Sequence, residues 1–347
     1  MNVLPEAMRA VIFHGPKDVR LEEVVLPRPG RGEVVVKIGA ALTCGTDFKA
    51  YRRGHRVLLG DAPSPFGHEM AGTVAAVGPG AERFTPGDRV VVGNSAPCDA
   101  CFFCKRGQSQ LCDNLKLHNG AYAEYNLVPA HIVRRNLHAL PPGLAFETAA
   151  LAEPLACALH GVDATRVVGG ETAVVVGAGI MARLLVAALR ARGARVLVVG
   201  RSRPPLDEVL GLGAEAVVGQ GDGDPVAAVR ALTDGRGADA VFEAVGLPET
   251  WEAAMSMTRK GGRACLFGGC AAGTKVPLDA HRVHYEELTL LGVFHHTPRY
   301  FTAALHLLAT GKVLPAGMVD GSIALAELPR FFAENHDRSI PKKAVLP

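Results

Sequence analysis

Residues Val174–Ala182 read Val-Val-Val-Gly-Ala-Gly-Ile-Met-Ala, an apolar run followed by two closely spaced glycines and a helix-forming segment. Gly177 permits a tight turn, Gly179 lets the backbone approach a bound group, and Ala182 allows a helix to pack against the strand. A strand, a glycine turn and a helix in this order match the G-x-G-x-x-A pattern that binds the pyrophosphate of a dinucleotide. The candidate cofactor-binding residues of this turn are Gly177, Gly179, Ile180 and Met181.

Strand-like and helix-like segments alternate from this stretch onward. The predicted strands are 172–176, 195–199, 215–218, 240–244 and 263–267. The predicted helices between them are 181–192, 206–212, 225–233 and 250–257. Two more helices are predicted outside this region, over 146–162 and 300–309. Alternation of this kind builds a parallel, doubly wound sheet, so the fold class predicted for this part of the chain is α/β.

The second strand of this region is followed by the segment Gly200-Arg201-Ser202-Arg203. A site that prefers NAD places Asp or Glu here to bind the ribose hydroxyls. Two guanidinium groups and a hydroxyl instead suit the 2′-phosphate of NADP. The sequence therefore favours NADP, and NAD remains possible if Arg201 and Arg203 are ordinary surface residues.

The residues before about 133 are rich in Val, Gly and Pro and contain short alternating apolar runs. The predicted strands of this part are 10–13, 33–38, 72–77 and 89–92. Such runs, separated by glycine and proline, predict a compact and mostly antiparallel β-domain. A chain of 347 residues can hold this domain and the α/β domain together.

Cys44, His68 and Glu69 supply a thiolate, an imidazole and a carboxylate, the donors that hold zinc when a fourth position stays open. A further carboxylate, Glu153, lies in an apolar helix start and is either a fourth or water-bridging ligand or a helix-capping acid. Zinc in such a site lowers the pKa of an alcohol, so that hydride can leave its carbon. Thr46 offers a hydroxyl that could relay the proton, and Asp47 could fix the tautomer of His68.

A second set of metal donors lies in one short segment, Cys98-x2-Cys101-x2-Cys104-x7-Cys112. Four thiolates with no open position describe a structural zinc site. A zinc ribbon that binds nucleic acid also uses four cysteines, but it normally has two separated pairs and basic flanks. The segment therefore predicts a structural zinc and gives no information about the reaction.

The overall composition excludes several functional classes. Lys and Arg number 37 and Asp and Glu number 34, and the resulting net charge of +3 gives no basis for binding nucleic acid or an anionic membrane. We recognise neither a signal peptide nor a membrane span, and we therefore expect a cytoplasmic protein. Eight cysteines in such a protein fit metal binding better than disulfides. A non-enzymatic zinc ribbon that binds nucleic acid is the alternative from a different class, and the nucleotide-binding pattern disfavours it.

Together these motifs resemble the zinc-dependent medium-chain dehydrogenase/reductase family, especially its sorbitol (polyol) and threonine dehydrogenase branch. The resemblance rests on the Cys44-Gly-Thr-Asp box, Gly67-His-Glu, the four-cysteine segment, Glu153-Pro-Leu and the glycine turn. It implies a GroES-like catalytic domain over residues 1–156, with the structural zinc lobe at 98–112. It further implies a Rossmann domain over 157–292, a return to the catalytic domain over 293–347, and a homodimer or homotetramer.

The resemblance also implies roles for individual residues. Catalytic zinc would be held by Cys44, His68 and Glu69, with Glu153 joining directly or through water. The family often has His at the position of Lys49, so Lys49 or water would carry the proton to solvent here. The adjacent residues His295 and His296 would contact the substrate or the nicotinamide side, or would form a polar strand end.

The implied function is hydride transfer between a secondary alcohol of the polyol, sugar or cyclitol class and a nicotinamide cofactor, preferably NADP. The partners are then a small-molecule alcohol and its ketone. Oxidation of threonine or of an aminocyclitol is an alternative within the same family. A zinc-free reductase of quinones or enones is a further alternative, which the complete set of metal donors disfavours.

Overall fold

The computed structural model describes residues 4–313, 317–335 and 341–347, and within them the side chains of Arg56, Arg203 and Gln220 are not described. The chain divides into two compact units. The first unit contains residues 4–156, 296–311, 317–335 and 341–347. The second unit contains residues 157–295 and 312–313.

The amino-terminal part of the first unit consists mainly of short strands, as the alternating apolar runs predict. Its strands are β1 (Ala7–Gly15), β2 (Asp18–Val25), β3 (Val34–Leu42), β4 (Ser64–Pro65), β5 (Met70–Val77), β6 (Arg89–Val92), β7 (Ser95–Ala96), β8 (Lys116–Leu117), β9 (Tyr125–Val128) and β10 (Leu137–Ala139). Its helices are α1 (Gly45–Arg53), α2 (Arg56–Leu59), α3 (Phe102–Lys105), α4 (Ala130–Asn136) and α5 (Phe146–Ala150). Helix α6 (Ala152–Ala164) begins in the first unit and continues into the second.

The second unit alternates strands and helices. Its strands are β11 (Thr172–Val176), β12 (Arg195–Val199), β13 (Ala216–Val218), β14 (Ala238–Glu243), β15 (Thr258–Leu266) and β16 (Thr289–Gly292). Its helices are α7 (Ile180–Ala191), α8 (Arg203–Gly211), α9 (Pro225–Ala231), α10 (Pro248–Met257) and α11 (Ala280–Tyr285). The chain then returns to the first unit with α12 (Pro298–Ala309), β17 (Val319–Ala324), α13 (Leu328–Glu334) and β18 (Lys342–Leu346).

The main sheet of the first unit has seven strands in the order β10-β6-β5-β3-β18-β17, with β9 also pairing with β3. Its pairs are antiparallel except for β17 and β18, which run parallel. Strand β18 comes from the end of the chain and lies beside β3 through the register Ala344↔Leu42. This pairing brings the C-terminal strand next to the segment that follows Leu42, where Cys44 lies.

Aromatic packing holds helix α1 against the C-terminal helix α13. Phe332 of α13 is fully buried, and its ring lies 4.8 Å from that of Phe48 and 5.7 Å from that of Tyr51. The ring of Phe66 lies 5.3 Å from the Phe332 ring. Aromatic pairs at such distances each contribute about 0.5–1.5 kcal/mol beyond the burial of their area. The segments that carry Cys44 and His68 are therefore anchored to one rigid core.

The sheet of the second unit has six strands in the order β13-β12-β11-β14-β15-β16, and all of its pairs are parallel. Strand β11 is buried along most of its length, as is expected of a parallel strand covered on both faces. The strand order reverses between β11 and β14. Ligands of such sheets bind outside the carboxyl ends of the strands at this reversal.

The predicted architecture is confirmed, with differences in detail. The α/β region and the mostly antiparallel β-domain are present, and the predicted strand 172–176 coincides with β11. The helix predicted over 146–162 is two helices, α5 and α6, separated at Leu151. Helix α1 and the strands β16, β17 and β18 were not predicted. Among the described residues, no helix combines the length and apolar character needed to cross a membrane.

Candidate metal centre and cofactor site

Cys44 lies between the end of β3 and the start of α1, where it is the N-cap residue with an extended backbone. Its N–H donates to Oδ2 of Asp47 at 3.1 Å, the reciprocal half of a capping box. Residue 43 is held as well, because Thr43 N–H donates to the carbonyl of Lys343 at 3.0 Å. The position of the Cys44 thiol therefore follows from a helix start that is fixed on both sides.

His68 and Glu69 are placed by the turn at Gly67 that precedes β5. Gly67 has a φ of +82°, and a Cβ there would lie 2.7 Å from ring atoms of Tyr122, so that only glycine fits. The carbonyl of Glu69 accepts a hydrogen bond from Leu42 N–H at 3.0 Å, which ties this turn to the end of β3. Both side chains are buried, with 4% of His68 and none of Glu69 exposed.

The ligand atoms of Cys44, His68 and Glu69 all lie within 4.8 Å of one another. Nδ1 of His68 lies 3.1 Å from Oδ1 of Asp47, so the other ring nitrogen is the one available as a ligand. Burial acts to lower the pKa of His68, but the Asp47 carboxylate and the Cys44 thiol outweigh it and the pKa is raised. A thiolate, an imidazole and a carboxylate that converge in a buried place fit a zinc ion with an open position.

Lys342 of β18 is a component of this site that sequence reasoning missed. Its Nζ lies 2.6 Å from each carboxylate oxygen of Glu69 and donates to the Thr43 carbonyl at 2.8 Å. Burial would lower the pKa of Lys342, but the nearby Glu69 and Cys44 raise it, so the ammonium stays charged. The pair gives the buried Glu69 carboxylate a charged partner from the end of the chain.

Glu153 belongs to a second buried polar group with Asn94 and His296. Asn94 Nδ2 donates to Oε1 of Glu153 at 2.8 Å, and Oδ1 of Asn94 lies 2.9 Å from Nε2 of His296. Burial raises the pKa of Glu153 to about 7, and His68 and Glu69 are close enough for their charges to act on it. We name these three residues, Asn94, Glu153 and His296, the polar triad. Its hydrogen bonds give Glu153 a role other than capping α6, while a zinc bond to Glu153 remains a prediction.

The remaining predicted residues of the zinc site lie as follows. Thr46 and Lys49 are both partly exposed residues of α1, in its first and second turns. His296 is buried in the polar triad, and 1% of the residue is exposed. His295 belongs to the second unit, has a φ of 57°, and its carbonyl accepts a hydrogen bond from Nδ1 of His160 at 2.8 Å. The proposed proton-transfer roles of Thr46 and Lys49 remain predictions.

The four cysteines of the predicted structural site converge as well. The sulfur atoms of Cys98, Cys101, Cys104 and Cys112 all lie within 4.8 Å of one another. Backbone N–H groups lower the pKa of Cys98 to about 6, and the Cys98 N–H also donates to the sulfur of Cys112 at 3.2 Å. Burial raises the pKa of Cys104 to about 12, so that its thiolate needs a compensating cation. This donor set fits a tetrahedral Zn(Cys)4 site.

The glycine turn of the second unit has the geometry that its sequence predicts. Gly177 follows β11 with a φ of +115°, and a Cβ there would meet Val245 Cγ2 at 3.1 Å. Gly179 is the N-cap of α7, and no atom lies within 4 Å of the place where its Cβ would be. Ile180 and Met181 form the first turn of α7. The open space at Gly179 and the unpaired N–H groups of a helix start fit a pyrophosphate.

The segment after β12 begins at Gly200, where a Cβ would meet Leu206 Cδ2 at 3.1 Å. An acidic side chain at this position would therefore crowd Leu206. Arg201 and Ser202 are exposed, and Ser202 is the N-cap residue of α8. Arg203 begins α8, but its side chain lies outside the described part of the structure. The described side chains thus offer a cation, Arg201, and a hydroxyl, Ser202, in the segment that follows the carboxyl end of β12. A cofactor of such a sheet binds beyond the carboxyl ends of its strands.

Three residues of the site had no local signal in the sequence. Asn94, Tyr122 and Lys342 are polar residues in otherwise ordinary segments, and their partners are distant in the chain. The Tyr122 hydroxyl donates to Oδ2 of Asp47, which also accepts from Cys44. A buried carboxylate requires a hydrogen-bonding or charged partner, and this requirement is the only indication of such residues that the sequence offers.

Two family models match the chain. The model described as alcohol dehydrogenase GroES-like domain matches residues 30–141, and the model described as zinc-binding dehydrogenase matches residues 179–310. The first range contains Cys44, His68, Glu69 and the four-cysteine segment, and the second begins at Gly179 of the glycine turn.

Characterised proteins and solved structures of this kind match nearly the whole chain. The erythritol/L-threitol dehydrogenase of Mycolicibacterium smegmatis is 32% identical over 90% of this chain and 90% of its own. The L-threonine 3-dehydrogenase of Pyrococcus furiosus is 34% identical over 89% of this chain and 90% of its own. A structure from Sinorhizobium meliloti 1021, described as a zinc-binding dehydrogenase bound to NADP, has a TM-score of 0.91 at 29% identity and covers 99% of this chain and 100% of its own.

Proposed function

The chain belongs to the zinc-dependent medium-chain dehydrogenase/reductase family, and on that premise we propose that it exchanges a hydride between NADP and a polyhydroxylated secondary alcohol. Members of this family are zinc-dependent oxidoreductases, and the donor sets described above fit that chemistry.

Each residue of the metal centre has a proposed task. Cys44, His68 and Glu69 would hold zinc, which supplies a Lewis acid that lowers the pKa of the substrate hydroxyl. Asp47 keeps the His68 ring in one orientation through the contact at 3.1 Å. We assign the proton that leaves the alcohol to Oγ1 of Thr46.

The observation that carries the proposed substrate class is the polar triad. Asn94, Glu153 and His296 are almost fully buried, with 3%, 6% and 1% exposed. Because they are hydrogen-bonded to one another, their burial is tolerated, and they make the surroundings of Glu153 polar. A substrate with several hydroxyl groups offers matching donors and acceptors, whereas a simple alkyl alcohol does not. The relative from M. smegmatis acts on erythritol and L-threitol, which are polyols.

The proposed cofactor preference is supported by the segment after β12. Gly200 leaves no room for an acidic side chain without displacing Leu206, and Arg201 offers an exposed cation. A cation beside the ribose suits the 2′-phosphate of NADP. The structural relative from S. meliloti has NADP bound.

The proposal is tested by measuring hydride transfer on a panel of polyols, cyclitols, L-threonine and simple secondary alcohols, with NAD and NADP in parallel. We expect turnover of a polyol or cyclitol with NADP. Arg201→Ala should raise the KM for NADP and leave the KM for NAD unchanged. Turnover of simple alcohols only would refute the substrate class, and equal use of both cofactors by wild type and Arg201→Ala would refute the cofactor preference.

Oxidation of L-threonine is the second candidate function. It is favoured by the 34% identity to the L-threonine 3-dehydrogenase of P. furiosus. The panel separates the two candidates, because a threonine enzyme requires the ammonium and carboxylate groups that polyols lack.

We also propose the domain arrangement and the assembly. Residues 1–156 and 293–347 would form the GroES-like catalytic domain and residues 157–292 the Rossmann domain, a division supported by the two compact units. A homodimer or homotetramer is supported by two features of the second unit, namely the edge strand β16 and the exposed side chains of Leu278 and Tyr285. Light scattering on the purified protein tests the assembly, and a monomeric mass would refute it.

A cytoplasmic location is the last part of the proposal. The sulfur atoms of Cys98, Cys101, Cys104 and Cys112 lie within 4.8 Å of one another, and a reducing compartment keeps such thiols available for zinc. Cell fractionation tests this point, and recovery of the protein outside the cytoplasm would refute it.

A further inference from the structure

Asp47 contacts two of the three proposed ligands of the catalytic zinc, Cys44 and His68. Its Oδ1 lies 3.1 Å from Nδ1 of His68, and its Oδ2 accepts the N–H of Cys44 at 3.1 Å. The side chain of Asp47 is fully buried, so no solvent competes for its oxygens. A carboxylate that serves two zinc donors at once must be held against rotation about its own side-chain bonds.

The hydroxyl of Tyr122 is the third group at this carboxylate. It donates to Oδ2 of Asp47 and lies 3.1 Å from the Leu42 carbonyl. Burial, followed by the charge of Asp47, raises the pKa of Tyr122, so the phenol keeps its proton and acts as a donor. Cys44 N–H and Tyr122 O–H therefore converge on the same oxygen and leave Oδ1 directed at His68.

Backbone hydrogen bonds and close packing hold Tyr122 in place. None of it is exposed, its N–H donates to the Phe66 carbonyl at 3.0 Å, and its carbonyl accepts from Val11. Its ring lies against Gly67, so closely that a Cβ on that glycine would overlap it at 2.7 Å. The preceding residues Gly120 and Ala121 both donate to the Gly67 carbonyl. The residue that locks Asp47 thus also supports the turn that places His68.

We propose that Tyr122 is a positioning residue of the catalytic zinc site, whose hydroxyl locks Asp47 so that His68 and Cys44 are pre-oriented before the metal binds. The hydroxyl donates to Asp47 and acts on the metal donors through that carboxylate. This inference rests on the proposed zinc role of Cys44, His68 and Glu69. Partners that orient metal ligands typically change metal affinity 10–100-fold when they are removed. Since Tyr122 is one residue further from the metal, we expect an effect of about 10-fold.

The test compares zinc release to a chelating dye from wild type, Tyr122→Phe and the matched control Tyr125→Phe. Phenylalanine keeps the ring against Gly67 and removes only the hydroxyl. The release phase of the catalytic zinc is identified as the one that is absent in Cys44→Ser. We expect this phase to be about 10-fold faster in Tyr122→Phe, while the four-cysteine phase and Tyr125→Phe match wild type.

Two further measurements separate positioning from a general loss of structure. In an Asp47→Asn background, Tyr122→Phe should have no further effect on zinc release, because its action runs through the Asp47 carboxylate. Replacing the catalytic zinc with cobalt(II) should give a visible spectrum that is shifted in Tyr122→Phe and unshifted in Tyr125→Phe.

The outcomes of this test distinguish failure of the inference from failure of the proposed function. Release from Tyr122→Phe at the wild-type rate, or an equal effect of Tyr122→Phe with and without Asp47, overturns the inference. Faster release in both the catalytic and the four-cysteine phases also overturns it, because it shows general loosening. Absence of a Cys44-dependent zinc phase in wild type would instead refute the proposed function.

Discussion

Replacing Lys342 with methionine removes the cation that lies against both oxygens of Glu69, and we expect it to destabilise the first unit strongly. Methionine has a similar length and no charge, so the change isolates the loss of the ammonium group. The two Nζ–O distances are both 2.6 Å, and the side chains are 2% and 0% exposed. Without Lys342 the Glu69 carboxylate would be buried without its charged partner.

The magnitude follows from that burial. Removing one partner of a fully buried ion pair costs about 3–5 kcal/mol, because the remaining charge is left uncompensated. Water does not screen the interaction between Lys342 and Glu69, because both side chains are buried. The double variant Lys342→Met/Glu69→Gln removes both charges and should recover most of the lost free energy of unfolding.

The assay is urea unfolding of chelator-treated protein at pH 7.5, where lysine carries its charge in the folded and unfolded states alike. The neighbouring residue provides a matched control. Lys343 forms an ion pair with Asp320 at 3.0 Å, but the Asp320 side chain is 66% exposed. We expect Lys343→Met to change the free energy of unfolding by less than about 1 kcal/mol.

A loss of less than about 1 kcal/mol in Lys342→Met, or one equal to that of Lys343→Met, would refute this reasoning. The same holds if the double variant is as unstable as the single one, since then the unpaired charge is not the cause.

Three more predictions test the other sites. Cys104→Ser should remove one zinc per chain and lower the urea midpoint, as metal analysis and unfolding will show, whereas retention of both zincs would refute the four-cysteine site. Gly177→Ala should cost about 1–3 kcal/mol, because its φ of +115° strains alanine, and should weaken NADPH binding in a fluorescence titration; unchanged values would contradict this. Burial lowers the pKa of His118 to about 4, so the folded state resists protonation and stability is lost as pH falls from about 6.5 to 4. The part of this loss that is due to His118 should reach about 3 kcal/mol and be missing in His118→Gln. Burial also lowers the pKa of His138 to about 4, so a smaller loss should remain in the variant. Parallel pH profiles of wild type and variant would exclude His118 as a cause.

The architecture was predictable because its elements are local. The apolar run before Gly177 and the alternation after it depend on neighbours in the chain, and they appear in the structure as β11 and the parallel sheet. Helix α1 was missed because its residues are mostly polar and its apolar face is set by Phe48 and Tyr51 packing against Phe332. That contact spans most of the chain and leaves no periodic signal.

The metal donors were predictable for a different reason, since cysteine, histidine and glutamate are expensive to bury without a purpose. Asp47 was predicted from the sequence as the partner of His68, whereas the pairs that join distant parts of the chain were not predicted. Lys342 pairs with Glu69 across 273 positions, and His296 meets Asn94 across 202. Such partners are selected by the fold, which brings the end of the chain beside β3, and no spacing in the sequence encodes them.

Cys44, His68 and Glu69 are proposed to hold the zinc at which hydride transfer takes place. The most direct measurement is the zinc content of wild type and Cys44→Ser, with turnover of the best alcohol of the panel measured on the same samples. We expect two zinc ions per chain and turnover in wild type, and one zinc ion without turnover in a folded Cys44→Ser. Two zinc ions and wild-type turnover in Cys44→Ser would contradict it.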